Sequence, residues 1–391
     1  MMRSMKNVAV FFGGQSPEHD ISILTGVQAF HAFDISKYVP IPVYVTREGL
    51  FYTGKELVDT QNYKDIESLL SKSKLAQLVK KQEGVFLTTK KLFGTEEIKI
   101  DIAFCAFHGG MGEGGGFQGY CETLGLPYTG SGVLGSTLCM DKVSMKKVLN
   151  REGIPLADEV VVFENGFIKD SQEIYKNIES KLGYPVFVKP SNGGSSIGVS
   201  RAKNKKELGY ALELAFSFDA KALVEKEFHY DSEVNISCLG TWNGEVILSE
   251  LEEVYSEGEF LDFENKYLKG AKSKKVTVPN GSKGMASTNR RIPAQISLEL
   301  RKEIETYARN AFVALSCGGV ARIDFLVNKQ ESKVVLVEVN TVPGSLAYYL
   351  WEAKGKSFTE LINEMLNLAV IQHKEKTRHA RVFASNIFKN L

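Results

Sequence analysis

Two apolar stretches near the C-terminal end, ARIDFLV and KVVLVEVN, carry the densest polar chemistry in the chain. Read as strands, they place Arg322 and Asp324 on one face by period-two alternation, and Glu338 and Asn340 likewise. If the intervening NKQESK is a turn centred on Glu331, Asp324 stands opposite Glu338 and Arg322 opposite Asn340. A slip of one residue would break that pairing. Facing side chains on paired strands have Cβ atoms about 4.5–5.5 Å apart, so two carboxylates and an amide oxygen would converge on an apolar sheet. Buried like charges at that spacing repel unless a cation lies between them. Oxygen-only ligands suit Mg²⁺, which commonly takes one or two carboxylates together with nucleotide phosphates. The bland alternative is a surface ion-pair patch.

A second candidate is Lys189-Pro190-Ser191-Asn192-Gly193-Gly194-Ser195-Ser196, between two strand-like runs. Consecutive small residues free backbone N–H groups to wrap a phosphate, and the lysine adds positive charge. It is not a Walker A loop, because the lysine precedes the glycines and a strand follows them. A plain hairpin turn is the competing reading. The run Gly130-Ser131-Gly132-Val133-Leu134-Gly135 matches G-x-G-x-x-G, yet no clear strand ends before it, so a dinucleotide site is disfavoured. His108 to Gly119 follows a buried strand and so lies at the carboxyl edge of a sheet, where α/β ligand sites form. Phe260 to Tyr267, followed by the basic run Lys269 to Lys275, reads either as a solvated loop or as a lid over an anionic site.

The elements that must hold these groups follow from periodicity. Strands are expected over Val8–Phe12, Tyr38–Val45 and Ile100–Phe107, with a helix over Ile21–Phe30 and a Lys-rich helical stretch over 62–82. That alternation predicts an open, mostly parallel α/β sheet. A helix over 141–152 ends near Gly153-Ile154-Pro155. A small mixed unit follows from Pro185, with strands PVFVKP, IGVSRA and ALVEKEF and helix KKELGYALELAF. Further strands are expected at Val234–Leu239 and Glu245–Leu251, and helices at Ala294–Leu315 and Phe358–His373. With 391 residues, several domains are expected.

A net charge of +1 leaves no global basic excess for nucleic acid or an anionic membrane. No apolar run reaches the roughly 18 residues of a spanning helix, so a cytoplasmic protein is expected. Five scattered cysteines without C-x-x-C spacing read as reduced core residues rather than a zinc site or disulfides. The basic tail after His373 reads as a docking extension.

Nine segments in order resemble the D-alanine-D-alanine ligase family of ATP-grasp enzymes: GGQSPEHDIS, FHGGMGEGGGFQGYCE, PYTGSGVLGS, MDK, FVKPSNGGSSIGVS, VEKEF, ENKY, ARIDF and EVNTVPG. The resemblance implies an α/β and α+β multidomain ATP-grasp fold: an N-terminal open α/β domain (1–140), a small central subdomain (141–228) and a C-terminal subdomain with lid and metal site (229–391). It implies that Lys142 and Lys189 contact nucleotide phosphates under the loop containing Ser195 and Ser196. Glu225, Lys226 and Phe228 would line the adenine pocket, and Glu233 would hold the ribose. Asp324, Glu338 and Asn340 would bind two Mg²⁺, with Mn²⁺ as an alternative. Glu18 and His108 would face the first D-alanine, while Arg322 and the Gly344 N–H would stabilise an oxyanion. Lys266 would reach the transferred phosphate, and Tyr267 would join Ser195 and Glu18 in one hydrogen-bonded group. A homodimer making peptidoglycan precursor is the implied assembly and role.

The chain departs from that family's pattern at Gly114, where an acidic residue is usual, and at Leu261 and Phe263, where tyrosines are common. After Gly344 it reads SLAYYLW, so that Tyr349 falls where a serine would take the second substrate's carboxylate. The tyrosine hydroxyl could still donate there. An acceptor other than D-alanine, another amino acid or a hydroxy acid, is the alternative this change raises; a nucleotide-binding module without turnover is a more distant one.

Overall fold

The computed structural model describes residues 5–255 and 289–379. The expected lid, with Lys266 and Tyr267, and the basic tail from residue 380 onward lie outside the described residues.

The first sheet has seven strands: β1 (Lys6–Gly13), β2 (Tyr38–Val45), β3 (Phe51–Thr53), β4 (Lys74–Lys81), β5 (Gly84–Lys90), β6 (Thr95–Ile100) and β7 (Ile102–Cys105). Their order is β6-β5-β4-β3-β2-β1-β7. Only β1–β2 and β1–β7 are parallel, and the remaining pairs are antiparallel. The expectation of a mostly parallel sheet is therefore corrected, as is that of a helix over 62–82. A helix spans only Ile66–Lys72, and Lys74–Lys81 forms a strand. Ala76 and Leu78 are buried in alternation while their neighbours point outward, a period of two that pairing with β3 and β5 satisfies. Lys74 and Lys80 occupy exposed positions and Lys81 a half-buried one, which either element would tolerate.

The helix His19–His31 links β1 to β2, a parallel pair that requires a crossover connection. The helix Phe358–Thr377, capped by a Ser357–Glu360 capping box, returns from the far end of the chain. Its Leu361, Ile362, Met365, Leu366 and Ala369 share one core with Val8, Val10, Phe12 and Phe104. The two ends of the sequence are thus held by common apolar burial.

The second sheet, order β10-β9-β11-β8, contains β8 (Glu159–Phe163), β9 (Val186–Pro190), β10 (Ser200–Ala202) and β11 (Lys221–Lys226), all paired antiparallel. The helices Ser171–Lys181 and Lys205–Phe216 contribute Ile178, Leu208, Ala211, Leu212 and Ala215 to its core. The third sheet, order β14-β13-β12-β15-β16, contains β12 (Ser232–Thr241), β13 (Val246–Tyr255), β14 (Asn289–Arg291), β15 (Gly318–Asn328) and β16 (Lys333–Asn340). The helix Leu298–Ala314, capped by Ser297, packs Leu300, Ile304, Ala308, Ala311 and Phe312 against it. Met145 and Leu149 of the helix Lys142–Arg151 join this same core.

The G-x-G-x-x-G run is a packing device. A Cβ on Gly135 would lie 2.4 Å from the Ser316 carbonyl oxygen, and Ser131 Oγ accepts from the Gly318 N–H at 3.1 Å. Glycine lets the helix Val133–Met140 approach the Leu315–Gly319 connection that leads into β15 of the third sheet. All five cysteines are free and buried, as expected of core residues.

Candidate active site

The β15–β16 ladder places Asp324 opposite Glu338 and Arg322 opposite Asn340. The route to that register differs from the expectation. Asn328 pairs with Lys333, so the turn is centred between Gln330 and Glu331, and a bulge between Asp324 and Phe325 supplies the missing residue. The bulge brings the polar side chains into register just where they converge. Asn340 Nδ2 lies 3.0 Å from Asp324 Oδ2 and 3.4 Å from Glu338 Oε1.

Arg322 forks Asp324 through Nε and one terminal nitrogen, each at 2.7 Å. Burial pushes the Asp324 carboxyl up to about 6, with Arg322 opposing and the charges of Glu338 and Glu233 adding to the rise. Among the described residues no group of three or more His, Cys, Asp or Glu forms a metal cluster. The set here is two acids and an amide, all able to offer oxygen, and it fits Mg²⁺ that shares its shell with phosphates. As a ligand, Asn340 would present its oxygen in place of the nitrogen.

Lys142 and Lys189 come from different elements. Asp141 caps the helix Lys142–Arg151 by accepting from Ser144 N–H at 2.8 Å, accepts from Ser191 Oγ at 3.0 Å, and pairs with Lys221. The Lys142 N–H also donates to the Ser191 carbonyl at 2.9 Å. One aspartate thus fixes the helix start beside the glycine loop, and the Lys142 ammonium donates to the Gly193 carbonyl. Burial pushes the Lys142 ammonium below its ordinary value. Lys189, near the end of β9, pairs with Glu225 of β11 at 2.5 Å.

The sequence reading missed Lys146, one turn after Lys142. It is only 3% exposed and pairs with Glu225 at 2.5 Å and Glu159 at 2.7 Å. Burial alone would raise Glu225, but Lys189 and Lys146 win and bring it to about 2. Its carboxylate thus holds both Lys189 and Lys146 as well as lining the second cleft. The signal was available: a lysine four residues after Lys142, between the apolar Met145 and Leu149, faces inward.

The glycine loop bends through Ser195 and Ser196 in left-handed conformation, with φ of 53° and 59°. Ser195 Oγ donates to the Glu18 carboxylate, across 177 residues. A Cβ on Gly194 would lie 2.7 Å from Glu18 Oε2, so a side chain there would push the carboxylate end of Glu18 aside. Glu18 itself stands at the N-cap of the helix His19–His31.

His108 is buried, and its Nε2 is 2.7 Å from Thr25 Oγ1. Burial lowers its pKa to about 4, so it is neutral at physiological pH. Glu113, also missed, joins two backbones: it accepts from Gly109 N–H at 2.8 Å and from Val342 N–H at 3.0 Å. Burial first, then the Glu18 charge, pushes its carboxyl up to about 7. Beyond Val342 the chain turns through Ser345, Leu346 and Ala347, all at φ near +50°. Left-handed non-glycine residues cost roughly 1–2 kcal/mol each. Burial of Leu346 and Ala347 and the Ser345 N–H bond to Thr25 Oγ1 at 3.1 Å offset that cost and fix Gly344 at the cleft wall.

Two adjoining clefts result. The first is lined by Glu18, His108, Ser195, Arg322, Asn340 and Gly344. The second, between the second and third sheets, is lined by Lys189, Ser196, Glu225, Lys226, Phe228 and Asp324. Lys142, Gly193, Gly194, Glu233 and Glu338 line both. Tyr349 does not line either cleft; its hydroxyl donates to Glu252 at 2.8 Å, and Glu252 lines the first.

A mixed sheet followed by two antiparallel sheets that enclose a lysine- and carboxylate-lined cleft is the ATP-grasp architecture. The family model described as "D-ala D-ala ligase N-terminus" matches residues 7–131, and that described as "D-ala D-ala ligase C-terminus" matches 148–367. The chain belongs to the D-alanine-D-alanine ligase family. It is 37% identical over 375 residues to the D-alanine-D-alanine ligase of Thermosipho melanesiensis, covering 95% of this chain and 96% of the relative. It superposes on the VanG D-Ala:D-Ser ligase from Enterococcus faecalis with TM-score 0.76 and 28% identity, covering 94% of this chain and all of that one. The ATP complex of the Bacillus anthracis D-alanine-D-alanine ligase matches with TM-score 0.66 and 25% identity, covering 96% and 100%.

Proposed function

We propose that this protein joins two D-alanines into D-alanyl-D-alanine at the expense of ATP, through an acyl phosphate, as a step in making peptidoglycan precursor. The observation that carries this reading is the shared wall of the two clefts, where Lys142, the glycine loop, Glu233 and Glu338 face both sides. A phosphoryl donor in one cleft and a carboxylate in the other meet there.

In this reading the purine lies among Phe228, Lys226 and Glu225, with Glu233 toward the ribose. Lys142 and Lys189 neutralise phosphate charge, and the loop with Ser195 and Ser196 covers it. Asp324, Glu338 and Asn340 would hold Mg²⁺, two ions with Mn²⁺ as an alternative, which when bound would neutralise charge on the transferred phosphoryl group. Glu18, held by Ser195, and neutral His108 orient the first D-alanine so that its carboxylate attacks the γ-phosphorus and ADP leaves. The deprotonated amine of the second D-alanine attacks the acyl carbon, and phosphate departs. Donors of Arg322 outside its fork to Asp324, with the Gly344 N–H, stabilise the oxyanion. By the family resemblance Lys266 and Tyr267 would serve the same phosphoryl transfer, a step from which water must be excluded because it would hydrolyse the intermediate.

We further infer a cytoplasmic homodimer and a division into units 1–140, 141–228 and 229–391; three separate sheets support the division. Light scattering of the purified chain tests the dimer. The activity is tested with Mg-ATP and D-alanine as sole amino acid. ADP release with a product of the mass of D-alanyl-D-alanine is the expected result; ADP formed only with another acceptor overturns the choice of second substrate.

A further inference from the structure

The wall of the first cleft contains two neighbouring acceptor oxygens that are buried without a hydrogen bond among the described residues. Asn235 of β12 pairs across the ladder with Glu252 of β13, and both residues line the cleft together with Arg322 and Gly344. Glu252 is 1% exposed and Asn235 3%. The Tyr349 hydroxyl donates to Glu252 Oε1 at 2.8 Å, and Asn235 Nδ2 donates to the same oxygen at 3.1 Å. That second bond fixes which way the amide points, because a carboxylate oxygen can accept only from the amide nitrogen. Glu252 Oε2 and Asn235 Oδ1 are the oxygens left over. An Arg290 nitrogen lies 3.7 Å from Glu252 Oε2, near enough to balance its charge but beyond hydrogen-bond reach.

A buried acceptor left unpaired carries the full desolvation cost of that group, so two of them in a cleft wall call for donors that a ligand supplies. On an amino acid only the amino group fits. It carries N–H bonds in both its charged and its neutral form, whereas an ionised carboxylate has no donor. The first D-alanine has Glu18 and His108. The second must bring its amine to the acyl carbon, beside the oxyanion donors of Arg322 and Gly344. Glu252 stands close enough to that place for its charge to act on the Arg322 guanidinium. A divalent cation is the poorer occupant, since Arg290 and Arg322 already bring two guanidiniums to this part of the cleft.

We propose that Glu252 Oε2, with Asn235 Oδ1 beside it, docks the amino group of the second amino acid and so selects an amine over a hydroxyl as the nucleophile. A charged amine gives Glu252 a charge-assisted bond that a neutral hydroxyl cannot match. Tyr349 then acts through Glu252 as a positioning residue, in place of the expected bond between its hydroxyl and the substrate carboxylate. The inference rests on the ligase reading above, whose failure has a separate signature.

The test is a competition between D-alanine and D-lactate as acceptors at saturating Mg-ATP, with the ratio of D-alanyl-D-alanine to D-alanyl-D-lactate read by mass. The two acceptors differ only in amine against hydroxyl, so the ratio reports that group alone. The wild-type chain should favour D-alanine. Glu252→Gln keeps an oxygen for Tyr349 and Asn235 and turns the open acceptor into a donor. It should lower the preference about ten- to a hundredfold, the loss expected for a charge-assisted bond. The KM for ATP should stay within about twofold, and Glu252→Asp should recover part of the preference. Tyr349→Phe removes one bond that holds Glu252, should lower the preference about two- to tenfold, and carries the test if Glu252→Gln does not fold. A wild-type chain without the preference, an unchanged preference in both variants, or an equal rise in KM for ATP and for D-alanine overturns the proposal. If the wild-type chain forms neither product, it is the ligase reading that fails.

Discussion

Glu338 stands opposite Asp324 in the β15–β16 ladder, and Asn340 reaches both carboxylates from the same face. Replacing Glu338 by Gln keeps the shape and removes one charge. ADP release should fall below detection while the far-UV spectrum and thermal midpoint stay those of the wild type. Turnover at the wild-type rate would remove Glu338 from the metal set.

Ser195 closes the glycine loop on Glu18 by a charge-assisted bond. Bonds of that kind contribute about 1.5–3 kcal/mol, so Ser195→Ala should lower kcat/KM for D-alanine by roughly ten- to a hundredfold. Steady-state kinetics at saturating ATP provide the check. An effect confined to KM for ATP would place Ser195 on the phosphate side alone.

Lys146 and Glu225 form a buried pair that also orients Lys189. Removing one partner of such a pair destabilises by about 3–5 kcal/mol, because the other charge stays buried. Lys146→Met should therefore lose stability on that scale in urea unfolding and raise the KM for ATP. An unchanged unfolding midpoint would show that Glu225 is satisfied without it.

Much of this arrangement is legible in the sequence, and the exceptions have physical causes. The facing of Asp324 and Glu338 follows from period-two alternation, yet the bulge that produces it carries no pattern of its own. Lys74–Lys81 has a lysine content that suits a solvated helix as well as a strand, and only pairing with β3 and β5 decides. Glu113 becomes visible only when distant segments meet, accepting from Gly109 on one side and from Val342 on the other. No local periodicity encodes such contacts. Glu18 and Lys142 were found by motif resemblance, and the structure adds what orients them, Ser195 and Asp141.

Two buried groups give opposite pH dependences. Glu113 titrates near 7 when folded against roughly 4.3 unfolded, so its protonation stabilises the fold at low pH, and that contribution is lost as pH rises through 7. His108 titrates near 4 when folded against roughly 6.5 unfolded, so its contribution is present above 6.5 and lost as pH falls toward 4. Glu113→Gln removes the first and leaves the second. Relative to wild type, that variant should lose stability on acidification from pH 7.5 to 5, on the order of 3 kcal/mol at most. Parallel urea-unfolding curves at the two pH values would contradict the assignment.

The central claim is that a D-alanine carboxylate oxygen attacks the γ-phosphorus of ATP before the peptide bond forms. D-alanine labelled with ¹⁸O in its carboxylate, incubated with Mg-ATP and this chain, tests it in one measurement. The expected result is D-alanyl-D-alanine together with inorganic phosphate that carries one labelled oxygen. Phosphate without label, or ADP without dipeptide, would contradict it.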